Sequence, residues 1–100
     1  MSEPIYKFYR GKALAAWYAL SKEEQDALGK KVVSALTEAG GKSLVMGDAS
    51  AFSDQWQVCG VEEFPDLDAV QRHTQILIEL NWTRYIDSRT TLGTQLVLPE

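Results

Sequence analysis

The sequence has little of what disulfides and metal sites are built from, since one of its 100 residues is a cysteine and one is a histidine. A single thiol cannot form a disulfide within the chain. Zinc sites of four cysteines, or of two cysteines and two histidines, need more ligands than the chain has. We therefore expect no metal, and we predict that Cys59, with apolar neighbours and no sign of activation, is a buried structural thiol.

Long apolar runs and long basic runs are missing as well. The longest apolar run covers residues 13–20, far fewer than the roughly 20 residues that cross a bilayer. The longest basic run is Lys30-Lys31 and the net charge is −4, unlike the basic stripe of nucleic-acid-binding proteins. We therefore expect neither a membrane nor a nucleic acid as a partner.

The first residues, Met1 to Pro4, have neither the basic nor the apolar region of a signal peptide. Together with the single cysteine, this favours a location in the reducing cytoplasm. Hydrophobic residues make up 45% of the chain and charged residues 24%, which is typical of a soluble globular protein. A chain of this length has room for one core, so we predict a single domain over residues 1–100.

Hydrophobic periodicity divides the chain into six elements. The predicted elements are, in chain order, a strand over residues 4–10, a helix over 22–39, strands over 44–47 and 55–63, a helix over 67–80 and a strand over 89–98. Gly11 is expected to end the first strand. A capping box formed by Ser21 and Glu24 marks the start of the first helix, and Gly40 marks its end. Asp66 is the expected N-cap of the second helix.

The order strand, helix, strand, strand, helix, strand is the split βαβ or ferredoxin-like pattern. It predicts an α+β fold in which two helices cover one face of an antiparallel sheet. The other face needs to be covered if it is apolar, and a homodimer is the usual way to do so.

Two short sequence motifs flank the second predicted helix. They are Phe64-Pro65-Asp66-Leu67-Asp68-Ala69 before it and Trp82-Thr83-Arg84-Tyr85-Ile86 after it. With these motifs and the element order, nearly the whole chain resembles the dimeric α+β barrel superfamily, which includes antibiotic-biosynthesis-monooxygenase-like enzymes without cofactors and haem-degrading enzymes. It is similar in particular to small darcynin-like bacterial proteins of unknown function. The resemblance implies ferredoxin-like units whose sheets pack face to face in a dimer, and it carries over no catalytic residue.

His73 falls inside the apolar arc of the second predicted helix, near Val70, Ile76 and Leu77. As the one histidine, it is the side chain that titrates near neutral pH without help. One interpretation is a general acid or base, or an axial haem ligand, that faces a pocket between helix and sheet. The other is a core histidine hydrogen-bonded to a backbone carbonyl or a tyrosine. The sequence leaves both open.

Large aromatic side chains occupy the first strand, the apolar stretch after it and the segment behind the second helix. They are Tyr6, Phe8, Tyr9, Trp17, Tyr18, Trp82 and Tyr85. Either they line a cavity for a flat apolar ligand, or they fill the core and the dimer interface. Arg84 and Arg89 either hold the carboxylate of a ligand or form a solvated ion pair with Asp87.

Three hypotheses about function follow, and whether the protein is an enzyme stays open. In the first, the protein binds a small hydrophobic or aromatic molecule, with or without transforming it, and any transformation would need neither a metal nor a cofactor. His73 would then transfer a proton, and Tyr85 or Tyr18 would orient the ligand. The pocket would be lined by Tyr6, Phe8, Trp17, Tyr18, Trp82 and Arg84. In the second hypothesis the protein is a non-enzymatic accessory protein that uses its apolar surfaces for self-association. The third is haem binding through His73.

Overall fold

A four-stranded antiparallel sheet is the base of the fold in the computed structural model, which describes residues 3–99. The elements are, in chain order, β1 (Ile5–Ala13), α1 (Ala15–Tyr18), α2 (Lys22–Glu38), β2 (Lys42–Asp48), β3 (Val58–Phe64), α3 (Leu67–Glu79), α4 (Trp82–Tyr85) and β4 (Ile86–Gly93). The strands lie in the order β2-β3-β1-β4, and each neighbouring pair is antiparallel. With α2 and α3 as the two long helices, this confirms the predicted ferredoxin-like α+β fold.

The predicted helix ends are confirmed by their hydrogen bonds. Ser21 Oγ accepts from the Glu24 N–H at 3.1 Å, and Glu24 Oε1 accepts from the Ser21 N–H at 2.9 Å. Asp66 Oδ1 accepts from the Ala69 N–H at 2.8 Å. Gly40, just after α2, has a φ of 87°, which a glycine adopts without steric cost.

The prediction that Gly11 ends the first strand is wrong. β1 continues to Ala13, and Gly11 is a buried position inside it. A Cβ at Gly11 would lie 3.2 Å from Val58 Cγ1 and 3.4 Å from Ile86 Cγ2. The glycine therefore lets β1 pass closely between the side chains of its two neighbours, rather than turning the chain.

The last strand begins and ends earlier than predicted. β4 covers Ile86–Gly93, and its pairing with β1 ends at Tyr6 and Gly93. β1 starts at Ile5, so little of it remains to pair with residues beyond Gly93. The alternating side chains that predicted strand up to residue 98 are solvent-exposed. They are Leu96, Val97 and Leu98, with exposed fractions of 72–79%.

The third strand begins at Val58 rather than at residue 55. Ser53 Oγ accepts from the N–H groups of Gln55 and Trp56, at 3.1 and 2.9 Å. These bonds bend the segment before β3 into a turn, because the serine hydroxyl competes with the ladder for the backbone donors.

The two faces of the sheet differ, and we call them the helix side and the open side. Pairing places Lys7, Tyr9 and Gly11 of β1 on the helix side, since successive strand residues alternate between faces. The helix side also carries Gly60 and Glu62 of β3. The buried core lies at one end of this side. It consists of Phe64, Ala69 and Val70, with Ile5 and Leu36 packed against it.

The open side carries Tyr6, Phe8 and Arg10 of β1, which alternate with the helix-side residues. Across residues 3–99, none of the helices has the length and apolar character that crossing a lipid bilayer requires.

Candidate functional site

A hydrogen bond between Lys7 and His73 joins the sheet to α3. Ala69, Val70 and His73 form the buried stripe of α3, at the spacing that places side chains on one helix face. Lys7 Nζ lies 2.9 Å from His73 Nδ1, and the two residues are 66 positions apart in the chain. An ammonium has no lone pair, so Nζ donates and Nδ1 accepts. The neutral ring therefore carries its proton on Nε2.

The Lys7 ammonium lies in an unusual environment for a charge. Its residue is 7% exposed and His73 is 4% exposed. No carboxylate of residues 3–99 lies within 4.0 Å of Lys7 Nζ. Lysine is almost never buried unless it is paired with an opposite charge, because desolvation of an ammonium costs several kcal/mol. The nearest compensations are the ring of Phe64, 5.1 Å from Nζ, and the cross-strand neighbour Glu62.

Burial and mutual charge shift the pKa of each group in this cluster. Desolvation lowers the pKa of Lys7, and the charge of Glu62 opposes this. Desolvation, and then the positive charge of Lys7, lower the pKa of His73 to about 4. Desolvation raises the pKa of Glu62, and Lys7 opposes this. His73 is therefore neutral at pH 7, and the burial of Lys7 favours its uncharged amine.

The Tyr9 hydroxyl adds a further polar atom on the helix side. It is buried and has no hydrogen-bond partner among residues 3–99. Desolvation, and then the charges of Glu62 and Cys59, raise its pKa, so the phenol is neutral. A Cβ at Gly60 would collide with the Tyr9 hydroxyl and ring carbon, so the glycine makes room for this side chain. An unpaired buried hydroxyl costs roughly 1–3 kcal/mol, so Tyr9 destabilises this part of the fold.

These polar groups border a cavity of about 160 Å³ between α2, α3, α4 and the sheet. Its lining residues are Lys7, Tyr9, Gly11, Val32, Met46, Val58, Glu62, His73, Leu77, Trp82, Ile86, Ser88 and Thr90. The wall is mainly apolar, and its polar groups converge from β1, β3 and α3. Met46 and Thr90 are solvent-exposed and lie at the rim. An apolar cavity with a few convergent polar groups is the usual form of a small-molecule site.

Of the residues that the sequence indicated as lining a cavity or acting in one, the structure places three on this cavity. They are His73, Trp82 of α4 and Tyr9 of β1. The Trp82 ring meets Trp17 of α1 edge to face, with centroids 6.1 Å apart and an angle of 87°. Trp17 therefore supports the wall from behind without lining the cavity.

The other predicted site residues lie elsewhere. Tyr6 and Phe8 are on the open side of the sheet. Tyr18 is 62% exposed, and its hydroxyl lies 3.2 Å from Gln57 Nε2, which donates to it. Tyr85 borders a separate surface depression between α2 and α3, and Arg84 is exposed on α4. The aromatic residues are thus divided among several surfaces, because strand alternation separates those of β1.

Two further expectations concern charged and sulfur-containing side chains. Arg89 Nη1 lies 2.9 Å from Asp87 Oδ1 in an exposed ion pair, as one of the two alternatives had it. The expectation of a buried thiol is wrong, because Cys59 is exposed. It follows Val58 on β3, and alternation turns it to the open side. Within residues 3–99 there is no group of three or more histidine, cysteine or acidic side chains arranged to hold a metal ion.

Sequence reasoning missed Lys7, Glu62 and the role of Tyr9. The sequence contained a clue to this placement. Ile5, Lys7 and Tyr9 are alternate residues of β1 and therefore lie on the same side of the strand. A lysine at an apolar strand position is a recognisable anomaly. Glu62 gave no local signal, since its place opposite Lys7 depends on the register of β1 and β3.

Comparison with known proteins bears on the fold. No protein-family model and no curated protein matches the chain. Two mutants of chlorite dismutase from Candidatus Nitrospira defluvii are similar in structure, with 21% and 22% identity and TM-scores of 0.73 and 0.75. A protein of unknown function from Rhodopseudomonas palustris is 20% identical with a TM-score of 0.69, and the match covers 98% of this chain and 86% of that one.

The chain spans less than half the length of the chlorite dismutases, since each match covers 94% of this chain and 41% of theirs. At such identities the likeness establishes the fold and carries neither a substrate nor a residue's role to this chain. The resemblance to darcynin-like proteins stays a prediction. By element order, strand order and structural likeness, the chain has a ferredoxin-like α+β fold.

Proposed function

We propose that the protein binds a small, mainly apolar or aromatic molecule with one hydrogen-bond acceptor in the cavity beside His73. The observation that carries this proposal is the buried Lys7–His73 pair on the cavity wall. An unpaired buried ammonium lowers the stability of a fold. The fold therefore gains no stability from the Lys7–His73 pair. A ligand that accepts a hydrogen bond from the pair would explain why the pair is there.

The size of the cavity limits the ligand to about one ring. The volume is about 160 Å³, and an apolar cavity of roughly 150 Å³ holds one benzene molecule. Leu77, Val32 and Trp82 provide apolar walls for such a ring. Burial of its apolar surface contributes about 25 cal/mol per Å² to binding before the entropic costs of association.

The polar groups fix the orientation and the chemistry. His73 Nδ1 accepts from Lys7, so the N–H of the neutral ring is on Nε2 and is the group that would donate to a ligand oxygen. The Tyr9 hydroxyl is an unpaired buried group on a residue that lines the cavity. If the protein is an enzyme, His73 is the proton-transfer residue of a reaction that needs no metal. Lys7 and Tyr9 then take the orienting role that the sequence suggested for Tyr18 and Tyr85.

Ligand-observed NMR with benzyl alcohol tests this proposal, because the probe combines one aromatic ring with one hydroxyl. The paired variants are Val32→Phe and Val33→Phe. Val32 lines the cavity, whereas its neighbour Val33 is 71% exposed. We expect saturable binding that Val32→Phe abolishes and Val33→Phe preserves. Leu77→Phe fills the same cavity from α3 and serves as a second blocking variant. Binding that survives both cavity-filling changes, or no binding at millimolar probe, contradicts the proposal.

Haem binding through His73 fits the cavity poorly. Cofactors and drug-sized ligands occupy about 300–1,000 Å³, whereas this cavity has about 160 Å³. Desolvation, and then the charge of Lys7, lower the pKa of His73 to about 4, so the ring is a weakly basic ligand. A metal-ligating histidine usually donates its second N–H to an acceptor, and here that nitrogen accepts instead. Titration with haemin provides the check: a Soret band that is lost in His73→Ala would restore this hypothesis.

The exposed apolar residues of the open side favour self-association as a second property. Phe8, Val61 and Val45 form a cross-strand row there, and Phe8 and Val45 are 47% and 57% exposed. Leu96, Val97 and Leu98 add exposed apolar surface after β4. We propose that two copies pack through this face, as in the homodimer expected from the sequence. Light scattering that gives a stable mass of 11.2 kDa at micromolar concentration contradicts this proposal.

A non-enzymatic accessory role remains the alternative if the cavity binds nothing. The dimer test and the ligand test are independent, because the row on the open side and the cavity lie on opposite faces of the sheet. A dimer without ligand binding favours the accessory role.

A further inference from the structure

Lys7 has the three features that a nucleophilic lysine needs. Its side chain is buried, the residue lines a cavity large enough for one ring, and His73 Nδ1 lies 2.9 Å from Nζ as a proton acceptor. Surface lysines of the chain lack this combination. Lys30, for example, is exposed on α2. Desolvated lysines in apolar pockets are the amines that react with carbonyl compounds in proteins.

We propose that Lys7 forms a Schiff base with a small aldehyde or ketone that enters the cavity beside His73. The inference rests on the proposed small-molecule function and names the chemical class of its ligand. The hydrogen-bond acceptor of that ligand is then a carbonyl oxygen, and the ligand is held covalently rather than by contacts alone.

The step balances with the groups that border the cavity. The Lys7 ammonium gives one proton to His73 Nδ1, and the resulting amine attacks the carbonyl carbon, so that a C–N bond forms. The carbonyl oxygen takes a second proton from Nζ, and the hydroxyl group leaves as water with the proton that His73 returns. The products are a protonated imine at Lys7, neutral His73 and one water molecule. No oxidant or reductant is needed, and the positive charge stays at the nitrogen.

The charges around Nζ suit this sequence. Glu62 on β3 is the acidic neighbour, and it stabilises the positive charge of the protonated imine as it did that of the ammonium. His73 on α3 and Tyr9 on β1 are both neutral at pH 7. The Tyr9 hydroxyl is buried and uncharged, so it adds no charge that competes with the one at Nζ. Since burial lowers the pKa of Lys7, more of it is the reactive amine at pH 7 than of an exposed lysine.

Reductive trapping tests the inference in the full chain. Benzaldehyde is added with cyanoborohydride at pH 7, and intact mass followed by peptide mapping locates each benzyl group. Burial lowers the pKa of Lys7 and leaves more of it as the reactive amine at pH 7, so we expect Lys7 to be labelled faster than the exposed lysines. Lys7→Met removes the fast labelling, and the matched surface variant Lys30→Met keeps it.

Benzyl alcohol separates the two proposals, because it fits the same cavity and cannot form an imine. We expect it to slow the labelling of Lys7 and to leave the labelling of Lys30 unchanged. If benzyl alcohol binds but Lys7 reacts no faster than Lys30, the Schiff-base inference is overturned and the binding proposal stands. If benzyl alcohol does not bind and Lys7 is not labelled selectively, both are overturned. Peptide mapping of the unmodified sequence gives these answers even if Lys7→Met does not fold.

Discussion

Charged residues lie in different environments on the two sides of the sheet. On the open side, Arg10 and Lys12 lie against the ring of Trp56, at 5.2 and 5.8 Å. Lys42 pairs there with Glu63 at 3.1 Å. On the helix side, Lys7 is buried against a neutral imidazole. One strand thus carries solvated cations on one side and a desolvated cation on the other.

This difference shows that the helix side is the part of the sheet whose polar groups lower the stability of the fold. Solvated ion pairs and cation–π contacts on a surface contribute little, so the open side is nearly neutral in its charge energetics. The helix side holds an ammonium and an unpaired hydroxyl next to a cavity, and each raises the free energy of the folded state. Groups that destabilise a fold are more often found at functional sites, where activity depends on them.

The largest expected effect is a loss of folding stability at low pH, and it comes from a residue that packs on the helix side of the sheet. His73 has a pKa lowered from 6.5 to about 4 in the fold. Between these values the unfolded chain binds a proton that the folded chain does not, so stability falls as the pH falls from 6.5 to about 4. The shift corresponds to roughly 3 kcal/mol.

Urea unfolding at several pH values measures this loss. The variant His73→Gln should lack it, and the comparison is needed because the raised pKa of Glu62 acts in the opposite direction. Parallel pH profiles for the two proteins would show that His73 does not titrate as described.

Replacement of the buried cation should raise stability. Lys7→Met keeps the length and apolar stem of the side chain and removes the desolvated charge. We expect the free energy of unfolding at pH 7 to rise by roughly 1 kcal/mol, because removal of the desolvated charge outweighs the cost of leaving His73 Nδ1 without a donor. Benzyl alcohol binding should be lost. The matched change on the open side, Lys12→Met, should alter the free energy of unfolding by less than about 0.5 kcal/mol. A lower stability for Lys7→Met would show that the Lys7–His73 bond supports the fold rather than a ligand.

Two glycines allow the steric crowding of the two sides of the sheet to be compared, since Gly60 lies on the helix side and Gly47 on the open side. A Cβ at Gly60 meets the Tyr9 hydroxyl and lies 2.6 Å from the Val45 carbonyl oxygen. Gly60→Ala is therefore expected to cost about 1–3 kcal/mol of stability. A Cβ at Gly47 lies 3.4 Å from Cys59 Sγ, an ordinary contact, so Gly47→Ala should be close to neutral. Equal thermal shifts for both variants would contradict the crowding of the helix side.

The smallest effect is expected at the exposed ion pair of β4. Arg89 and Asp87 are partly solvated, with side-chain exposures of 64% and 28%. Asp87→Asn should change the free energy of unfolding by no more than about 1 kcal/mol, and less at high salt. A larger loss in denaturant titration would mean that the open side is not solvated and is covered in solution, as in the proposed dimer.

The fold followed from local patterns to a large extent. The capping box at Ser21, the N-cap Asp66 and the glycine stop at Gly40 were all predicted, because each depends on residues within a few positions of one another. The strand limits were less accurate. Gly11 looked like a stop and is a close-approach position, which depends on Val58 and Ile86 from two other strands.

The candidate site was less accessible from the sequence. The apolar arc around His73 pointed to a buried histidine, and the structure buries it. Its partner Lys7 was not predicted, because the pattern of β1 does not show which side of the strand meets α3. Tyr6 and Phe8 lie on the opposite side of β1 from Lys7, because successive strand residues alternate between the two sides.

The sequence by itself determined the element order, the helix caps and the burial of His73, because these depend on hydrogen bonds and periodicity within one segment. The tertiary structure decided that Lys7 meets His73, that Glu62 lies across from Lys7 and that Gly60 makes room for Tyr9. Those contacts join residues that are distant in the chain, and they exist only once strand register and the position of α3 over the sheet are set. A one-residue shift of β1 would turn Lys7 and Tyr9 to the open side, because successive strand residues face opposite ways.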